Sequence, residues 1–237
     1  MFLKIADLCF DVTMPSELLS NMYDDYVCDN ADAVDSCITI EKEDVIAEYN
    51  LACEHNAAAN SKKELASLAL YRKICAVALK NQAFLMHGAL IEYEGKGYLF
   101  TAKSGTGKTT HINLWKQVFG EDKVTVVNGD KPIIRFIEDR VYAYGTPWCG
   151  KEGYNVNTKV ELCALVFVDR AVENSISKIS DTLALPRIFS QIMIADSADL
   201  EKQLELVDRL LEKVPTYLLK CNMEPDAAIV AYSGMAN

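Results

Sequence analysis

The segment from Ala102 to Thr109 reads Ala-Lys-Ser-Gly-Thr-Gly-Lys-Thr, and it constrains the fold more than any other part of the chain. An apolar run, Tyr98 to Phe100, precedes it, and apolar residues at helical spacing follow it. Strand, glycine-containing loop and helix in this order are typical of a phosphate-binding loop, whose backbone N–H groups turn inward around phosphate oxygens. The loop lysine reaches the β- and γ-phosphates, and the next hydroxyl holds Mg²⁺. The sequence therefore predicts a nucleotide site built by Ser104, Gly105, Thr106, Gly107, Lys108, Thr109 and Thr110.

One position departs from the usual loop pattern, because Ala102 stands where the first glycine is expected. Alanine is small enough to keep the turn. The helix after the loop is predicted from Thr110 to Phe119, and Gly120 follows its end, where glycine is common. The alternative interpretation is a glycine-rich turn that contains a lysine by chance. The strand before the loop and the helix after it favour the nucleotide interpretation.

Charge and cysteine content exclude several functions. The 237 residues carry a formal net charge of −10, which provides no general basic surface for nucleic acid. No export signal is expected, because Asp7 and Asp11 interrupt the apolar positions near the N-terminus, and no apolar run is long enough to cross a bilayer. The eight cysteines are scattered without a Cys-x-x-Cys pair. We therefore expect a cytoplasmic protein with reduced thiols that binds neither membranes nor nucleic acid.

The order of predicted elements favours an α/β fold with a mixed sheet and flanking helices. Segments 89–93 and 98–102 flank a turn too short for a crossover helix, so they are predicted to pair antiparallel. Further strands are predicted at 124–127, 133–136, 140–144, 162–168 and 217–220. Helices are predicted at 63–80, 186–194, 198–213 and from Pro225 onward. We interpret residues 1–237 as one domain with its core at 82–237, and residues 1–60 carry no assigned element.

Two side chains outside the loop are candidates for the chemistry. Asp130 stands where an apolar strand ends, the expected place for a carboxylate that binds Mg²⁺ or accepts a hydroxyl proton. The competing interpretation, compatible with the first, is that Asn128-Gly129-Asp130 is a hairpin turn. His87 either contacts a phosphate or a transferring proton, or is a core histidine beside an apolar strand. His55 and His111 are expected at solvent-facing or helix-surface positions.

The segment from Gly145 to Asn155 is rich in turn-forming residues, yet it also carries an aromatic side chain, a lysine and an acid. Such a loop can close over a substrate. Lys151 is a candidate to offset charge on a transferring phosphoryl group, and Trp148 to pack on a base or exclude water. The alternative is an ordinary exposed connection.

The order His87-Gly88, hairpin, loop 102–109, helix and Asn128-Gly129-Asp130 resembles the C-terminal catalytic domain of HPr kinase/phosphorylase. The likeness spans residues 82–137, and more weakly the 145–155 loop and the C-terminal elements. It implies a phosphoenolpyruvate-carboxykinase-like P-loop fold in a single kinase-like domain that uses ATP and Mg²⁺ to phosphorylate a seryl hydroxyl. By position, Lys108 and Thr109 resemble the family's phosphate and metal groups, His87 its active-site histidine, and Asp130 the second of its paired aspartates.

One departure from the family pattern bears on the reaction. Gly129 occupies the position of the family's presumed catalytic base. Asp130 or Glu152 would then take over that role, or the protein binds nucleotide without efficient transfer. The regulatory N-terminal domain of the full-length enzymes is not recognisable here, so the phosphocarrier HPr need not be the substrate.

The predicted function is an ATP-dependent kinase that phosphorylates a hydroxyl of a small molecule or a serine of a protein or peptide. The alternative is a nucleotide-responsive binding or regulatory module with little or no phosphotransfer. Predicted catalytic groups are His87, Asp130 and Lys151, and predicted Mg²⁺ ligands are Thr109 and Asp130. A decarboxylating carboxykinase is disfavoured, because the sequence offers no clear cluster for a second transition metal and a dicarboxylate. Association into a homo-oligomer is left open.

Overall fold

The computed structural model describes residues 1–29, 33–54, 61–193 and 199–236. Within these residues the chain forms two β-sheets and six α-helices, so the predicted mixed α/β class is confirmed. None of the described helices combines the length and the apolar character needed to span a bilayer.

The first sheet lies in the N-terminal part of the chain, where no element was predicted. It has the order β3-β1-β2-β4, with β2 and β4 parallel and the other pairs antiparallel. Its strands are β1 (Phe2–Ile5), β2 (Leu8–Thr13), β3 (Val27–Cys28) and β4 (Ser36–Thr39). β1 and β2 form a tight hairpin, whereas β3 and β4 join the sheet through contacts distant in sequence, β3 after two 3₁₀ helices.

Two helices follow this sheet, α1 (Lys42–Glu54) and α2 (Lys62–Lys80). The prediction of a helix at 63–80 is confirmed. It begins with a capping box, in which Ser61 Oγ accepts a bond from the Glu64 N–H (3.2 Å) and the Glu64 carboxylate accepts one from the Ser61 N–H (2.7 Å). This exchange satisfies backbone N–H groups that a helix start leaves unpaired.

The second sheet contains nine strands within the described residues, in the order β5-β9-β10-β11-β7-β6-β8, with β13 beside β11 and β12 beside β13. β6 and β7 pair antiparallel, as predicted, whereas β7, β11 and β13 run parallel. The carboxyl ends of those three strands therefore meet at one edge of the sheet. The strands are β5 (Ala83–Leu85), β6 (Ala89–Tyr93), β7 (Lys96–Thr101), β8 (Val124–Asn128), β9 (Ile133–Ile137), β10 (Arg140–Tyr144), β11 (Lys159–Arg170), β12 (Ser175–Lys178) and β13 (Thr216–Cys221).

Helices cover both faces of the large sheet. α3 (Lys108–Phe119) and α6 (Asp226–Met235) pack on one face around the fully buried Trp115. α4 (Asp181–Phe189) and α5 (Leu200–Lys213) pack on the other. The helices predicted after the loop and from Pro225 are confirmed, as is the greater part of the one predicted at 198–213, whose first residue lies outside the described ones.

The prediction for α4 was wrong at its start. The helix begins at Asp181, and Pro186 lies inside it instead of opening it. A proline in a helix interior removes one hydrogen bond, and here Ala184 and Ile188, both fully buried on the sheet, favour continuing the helix through it. The predicted end at residue 194 lies outside the described residues.

The N-terminal sheet is tied to the large sheet by polar contacts. The Arg135 guanidinium donates to the Ala6 carbonyl (2.6 Å), and the Tyr144 hydroxyl donates to the Asp7 carboxylate (2.8 Å). The apolar core of the first sheet also reaches across α2 to Trp148. The Trp148 ring is 6% exposed, packs edge-on to Tyr71, and donates from Nε1 to the Ser67 hydroxyl at 3.0 Å. The first alternative predicted for Trp148, packing on a base, was therefore wrong, and the second, exclusion of water, stays a prediction.

Candidate functional site

The loop between β7 and α3, residues 102–107, is here called the glycine loop. Gly105 and Gly107 have φ angles of +76° and +121°, which side chains with a Cβ rarely adopt. Gly107 directly precedes α3, so the unpaired N–H groups and the positive dipole end of that helix face the loop. This geometry presents hydrogen-bond donors toward an anion.

Arg170, at the end of β11, supports the glycine loop from the side. Its Nε donates to the Thr106 carbonyl at 2.9 Å, and its Nη2 donates to the Gly105 carbonyl. Sequence analysis missed this residue. The available signal was its position after a strongly apolar strand, because side chains at the carboxyl ends of neighbouring parallel strands converge on one site.

The glycine loop opens on a cavity of about 540 Å³, here called the central cavity. Of the predicted site residues, Thr106 alone does not line it. The others do: His87, Ser104, Gly105, Gly107, Lys108, Thr109, Thr110, Asp130 and Lys151. Residues that are far apart in the chain are thus brought to one opening.

Lys108 is buried beside this cavity, with 8% of its surface exposed. Its Nζ donates to the Ala102 carbonyl at 3.1 Å and lies 3.2 Å from His87 Nε2. Burial lowers the pKa of Lys108, and the nearby Asp130 carboxylate opposes that shift. The ammonium is therefore held at the wall of the central cavity by Ala102 and His87 rather than by a carboxylate.

His87 connects Lys108 to Asp130. Gln191 donates from its amide to the Ser190 hydroxyl at 2.9 Å, so its amide oxygen faces His87 Nδ1, also at 2.9 Å, and that nitrogen carries the proton. Nε2 then offers a lone pair to Lys108. The same Nε2 lies 3.1 Å from Asp130 Oδ1, so a protonated ring would donate to that carboxylate instead. Gln191 was missed from sequence, because nothing local links it to His87.

Asp130 is held as a carboxylate. Burial would raise its pKa, but the close contact with His87 and the hydrogen bond and charge of Lys131 outweigh this and lower the pKa to about 2. Its backbone N–H donates to Asn128 Oδ1 at 2.9 Å. β8 pairs with β6, and β9 pairs with β5 and β10, so Asn128-Gly129-Asp130 joins strands that are not neighbours. The hairpin interpretation was therefore wrong.

Gly129 is fixed by its surroundings. Its N–H donates to the Tyr154 carbonyl at 2.8 Å, and a Cβ built on it would lie 2.8 Å from the Cys149 carbonyl oxygen. An acid at this position would require the backbone of residues 149–154 to move. The close approach of that segment therefore explains the glycine.

The 145–155 segment is anchored rather than loosely exposed. The fully buried Asn128 amide donates to the Thr146 carbonyl at 3.0 Å, and the Asn155 amide donates to the same carbonyl at 3.3 Å. Lys151 and Glu152 remain exposed, and both line the central cavity. The segment therefore presents one cation and one anion at the cavity from an anchored base.

The oxygen ligands present suit Mg²⁺. The Thr109 and Asp130 side chains both line the central cavity. Within the described residues there is no cluster of three or more His, Cys, Asp and Glu side chains that could hold a metal ion. Mg²⁺ commonly takes one or two carboxylates and completes its shell with substrate phosphates and water. A hydroxyl and a carboxylate fit that pattern.

His111 does not lie on the helix surface as predicted. It is 2% exposed and accepts a hydrogen bond from Trp115 Nε1 at 3.0 Å, with its ring edge-on to Phe100. Burial lowers its pKa to about 4, so the ring is neutral near pH 7. The prediction failed because the face of α3 that carries His111 packs on the sheet. His55 lies outside the described residues.

Fold and geometry together define a mixed α/β protein in which a strand, a glycine loop and a helix open on a charged cavity. The chain belongs to the SynChlorMet cassette protein ScmC family, whose model matches residues 51–226. Among solved structures, it is similar to the HPr(Ser) kinase/phosphatase from Coxiella burnetii, with 10% sequence identity and a TM-score of 0.39 over 65% of this chain and 88% of that one. This likeness is too distant to carry an argument about residues or activity. No curated protein matches the sequence.

Proposed function

We propose that the protein binds ATP with Mg²⁺ in the central cavity and transfers the terminal phosphoryl group to a hydroxyl. The observation that carries this proposal is the meeting of a buried lysine, an ionised aspartate and a strand–glycine loop–helix unit at one cavity. Phosphoryl transfer needs these parts: N–H donors and a cation for the phosphates, and a carboxylate on the metal side.

Each residue has a defined role in this proposal. The N–H groups of residues 104–108 and the Lys108 ammonium bind the β- and γ-phosphates, and Thr109 with Asp130 holds Mg²⁺, which neutralises charge on those phosphates. Lys108 would exchange its bond to His87 for one to a phosphate oxygen. Lys151 reaches the γ-phosphate from the 145–155 segment and offsets charge in the transition state.

In the transfer step, the acceptor oxygen bonds to the γ-phosphorus while the bond from that phosphorus to the β–γ bridging oxygen breaks, and ADP leaves. The hydroxyl proton passes to a carboxylate, either Asp130 or Glu152 from the facing segment.

We assign the acceptor to a second cavity of about 430 Å³, here called the α2 cavity. It shares Asp130 and Gly150 with the central cavity and extends between the start of α2 and residues 147–150. Two basic residues, Lys63 and Lys131, and one acidic residue, Glu64, line this cavity. A hydroxyl reaching Asp130 from this side can approach a phosphoryl group on the central-cavity side, and the volume suits a small molecule or one peptide side chain.

The test is ADP formation from Mg-ATP across a panel of small alcohols, sugars, hydroxy acids and serine peptides. We expect acceptor-dependent turnover in the native protein and loss of both turnover and ATP binding in Lys108→Met. The matched control is Lys103→Met, which removes the same charge from an exposed loop lysine outside the central cavity. Unchanged ATP affinity in Lys108→Met would refute the assignment.

The absence of an acid at position 129 favours a second candidate, a nucleotide-responsive binding module. In this case ATP contacts Lys151 and Glu152 and alters the 145–155 segment, which changes affinity for a partner. Hydrogen exchange separates the two functions. Protection of residues 149–154 by Mg-ATP without ADP formation for any acceptor would support the module.

A further inference from the structure

A further cavity of about 400 Å³, here called the side cavity, is lined by Thr106 and Gly107 of the glycine loop and does not include Asp130. It shares Gly107, Thr110 and Arg170 with the central cavity, so the two adjoin. We propose that the side cavity binds the nucleoside half of the nucleotide, and that a small shift of the cavity wall on binding opens His111 Nδ1, which is closed off in the free protein, to donate a hydrogen bond to the heteroaromatic base. This inference rests on the proposed nucleotide function and adds to it the site that binds and recognises the base.

His111 carries a buried hydrogen-bond donor without a partner among the described residues. His111 Nε2 accepts from Trp115, so in the neutral ring the proton is on Nδ1. Nδ1 is buried and has no hydrogen-bond partner in the described structure, although His111 lines the side cavity. A buried donor without a partner is costly, so such groups usually have an explanation. Ring nitrogens and carbonyl oxygens of a nucleobase are acceptors of the kind this group lacks.

The wall of the side cavity suits a flat aromatic ligand. Buried Val168 and Cys221, together with Ala171, give it an apolar surface, and Met223 at its edge is 76% exposed. Flat aromatic ligands gain from burial against such surfaces, and a thioether contacts aromatic rings favourably. An exposed methionine at this place can cover a bound base. The volume lies within the range of ligand pockets.

The side cavity also lies at the edge of the sheet where the parallel strands end. The glycine loop, Arg170 and Cys221 stand at the carboxyl ends of the parallel strands β7, β11 and β13. Ligands of open α/β sheets bind outside this edge. The acceptor needs a cavity that contains Asp130. Two described cavities touch the glycine loop and lack Asp130: the side cavity and one of about 150 Å³ lined by Ala102, Lys103 and Thr106. The smaller one is below the usual size of a ligand pocket, which leaves the side cavity for the nucleoside.

The test compares ATP with inorganic tripolyphosphate, which has the same phosphate chain and no nucleoside. In Ala171→Trp, an indole fills the side cavity. We expect Mg-ATP affinity to fall at least tenfold by calorimetry, while tripolyphosphate affinity stays within about twofold. The matched control is Val172→Trp, which adds the same ring at a neighbouring residue that is 88% exposed and outside the cavity. Titrating ATP, GTP and CTP into the native protein identifies the preferred base.

The outcomes are distinguishable. If Ala171→Trp binds ATP as the native protein does, or loses both ligands equally, the nucleoside site is wrong while the phosphate site stands. If native protein binds neither ligand, the proposed function fails and this inference with it. A second measurement covers failure of Ala171→Trp to fold: the ¹⁵N shift of His111 Nδ1 in native protein should move with ATP and not with tripolyphosphate. No movement with bound ATP would overturn the proposal.

Discussion

The central and side cavities adjoin at Gly107, Thr110 and Arg170, yet their polar groups are satisfied in opposite ways. In the central cavity Lys108 and Asp130 have partners within the protein before any ligand arrives. In the side cavity, the buried His111 Nδ1 has none among the described residues. An anion that enters the central cavity must displace existing hydrogen bonds and ion pairs. A ligand that enters the side cavity supplies the hydrogen bond that His111 Nδ1 lacks.

This difference predicts how each cavity responds to change. Binding in the central cavity is an exchange of electrostatic partners, so it depends on charge and weakens with salt. Binding in the side cavity depends on shape and on one hydrogen bond, so it is less sensitive to salt. Variants of Asp130 and Gly129 test the central cavity, variants of His111 test the side cavity, and variants of Arg170 test the boundary between them.

The largest effect is expected for Asp130→Asn in the central cavity. Asparagine keeps the shape but removes the charge that binds Mg²⁺ and the site that accepts a proton. We expect kcat to fall by about two to three orders of magnitude, a range typical of general-base removal. Steady-state ADP release measures it. The control is Asp139→Asn, at a carboxylate that is 95% exposed.

If Asp130→Asn retains kcat and Glu152→Gln loses it, the base is Glu152 and the role of Asp130 is confined to the metal. If neither variant changes turnover, the catalytic assignment of the central cavity is wrong. Comparing the two variants thus decides which side of the cavity accepts the proton.

The next largest effect is a pH dependence of the free energy of unfolding, caused by His111 at the side cavity. The pKa of His111 is about 4 in the folded chain, below the ordinary value of 6.5, so the unfolded chain takes up the proton first. Stability from this residue is therefore present above pH 6.5 and lost as the pH falls toward 4. Between pH 7 and 4.5 the expected loss is on the order of 2 kcal/mol.

Urea unfolding of the native protein and of His111→Gln at both pH values measures this contribution. Glutamine still offers Trp115 an acceptor, but it does not titrate. The difference between the two proteins should shrink at the lower pH. A difference that stays constant would mean that His111 is solvated enough to be protonated in the folded state, which would weaken the contrast between the cavities.

A smaller effect is expected at the wall of the central cavity. In Gly129→Ala the added methyl would lie 2.8 Å from the Cys149 carbonyl oxygen, so the 149–154 backbone must shift. We expect a loss of about 1–3 kcal/mol in the free energy of unfolding, the usual cost of overpacking. Gly129→Asp should lose at least as much and gain no activity. A stable, faster Gly129→Asp variant would show that the segment adapts to a paired acid.

The central part of the fold was accessible from sequence because its signals are local. The glycine loop, the helix after it and the antiparallel pair β6–β7 are adjacent in the chain, and apolar spacing with turn residues defines each. His87 and Asp130 could be named as candidates for the same reason, since each stands close to a strand end, and both line the central cavity.

What the sequence did not reveal depends on distant contacts. β3 has two residues and joins β1 only after 3₁₀ turns, so no periodicity marks it. Gln191 reaches His87 across 104 positions, and the buried face of α3 that holds His111 is set by packing on the sheet. Trp148 was misassigned for the same reason, because its partner Ser67 lies in α2. Tertiary pairing, not local propensity, decides these positions.

The smallest effect concerns Arg170, which borders both cavities. It holds the Gly105 and Thr106 carbonyls, so Arg170→Met should loosen the glycine loop and weaken Mg-ATP and tripolyphosphate by about the same factor, on the order of tenfold. Arg170→Lys keeps the charge, but one ammonium does not reproduce the planar fork that meets two carbonyls. If the Arg170→Lys variant binds Mg-ATP and tripolyphosphate with full affinity, Arg170 acts through its charge on the phosphates and not by holding the loop. If ATP alone weakens in Arg170→Met, the residue belongs to the side cavity, and the boundary between the two cavities must be moved toward the glycine loop.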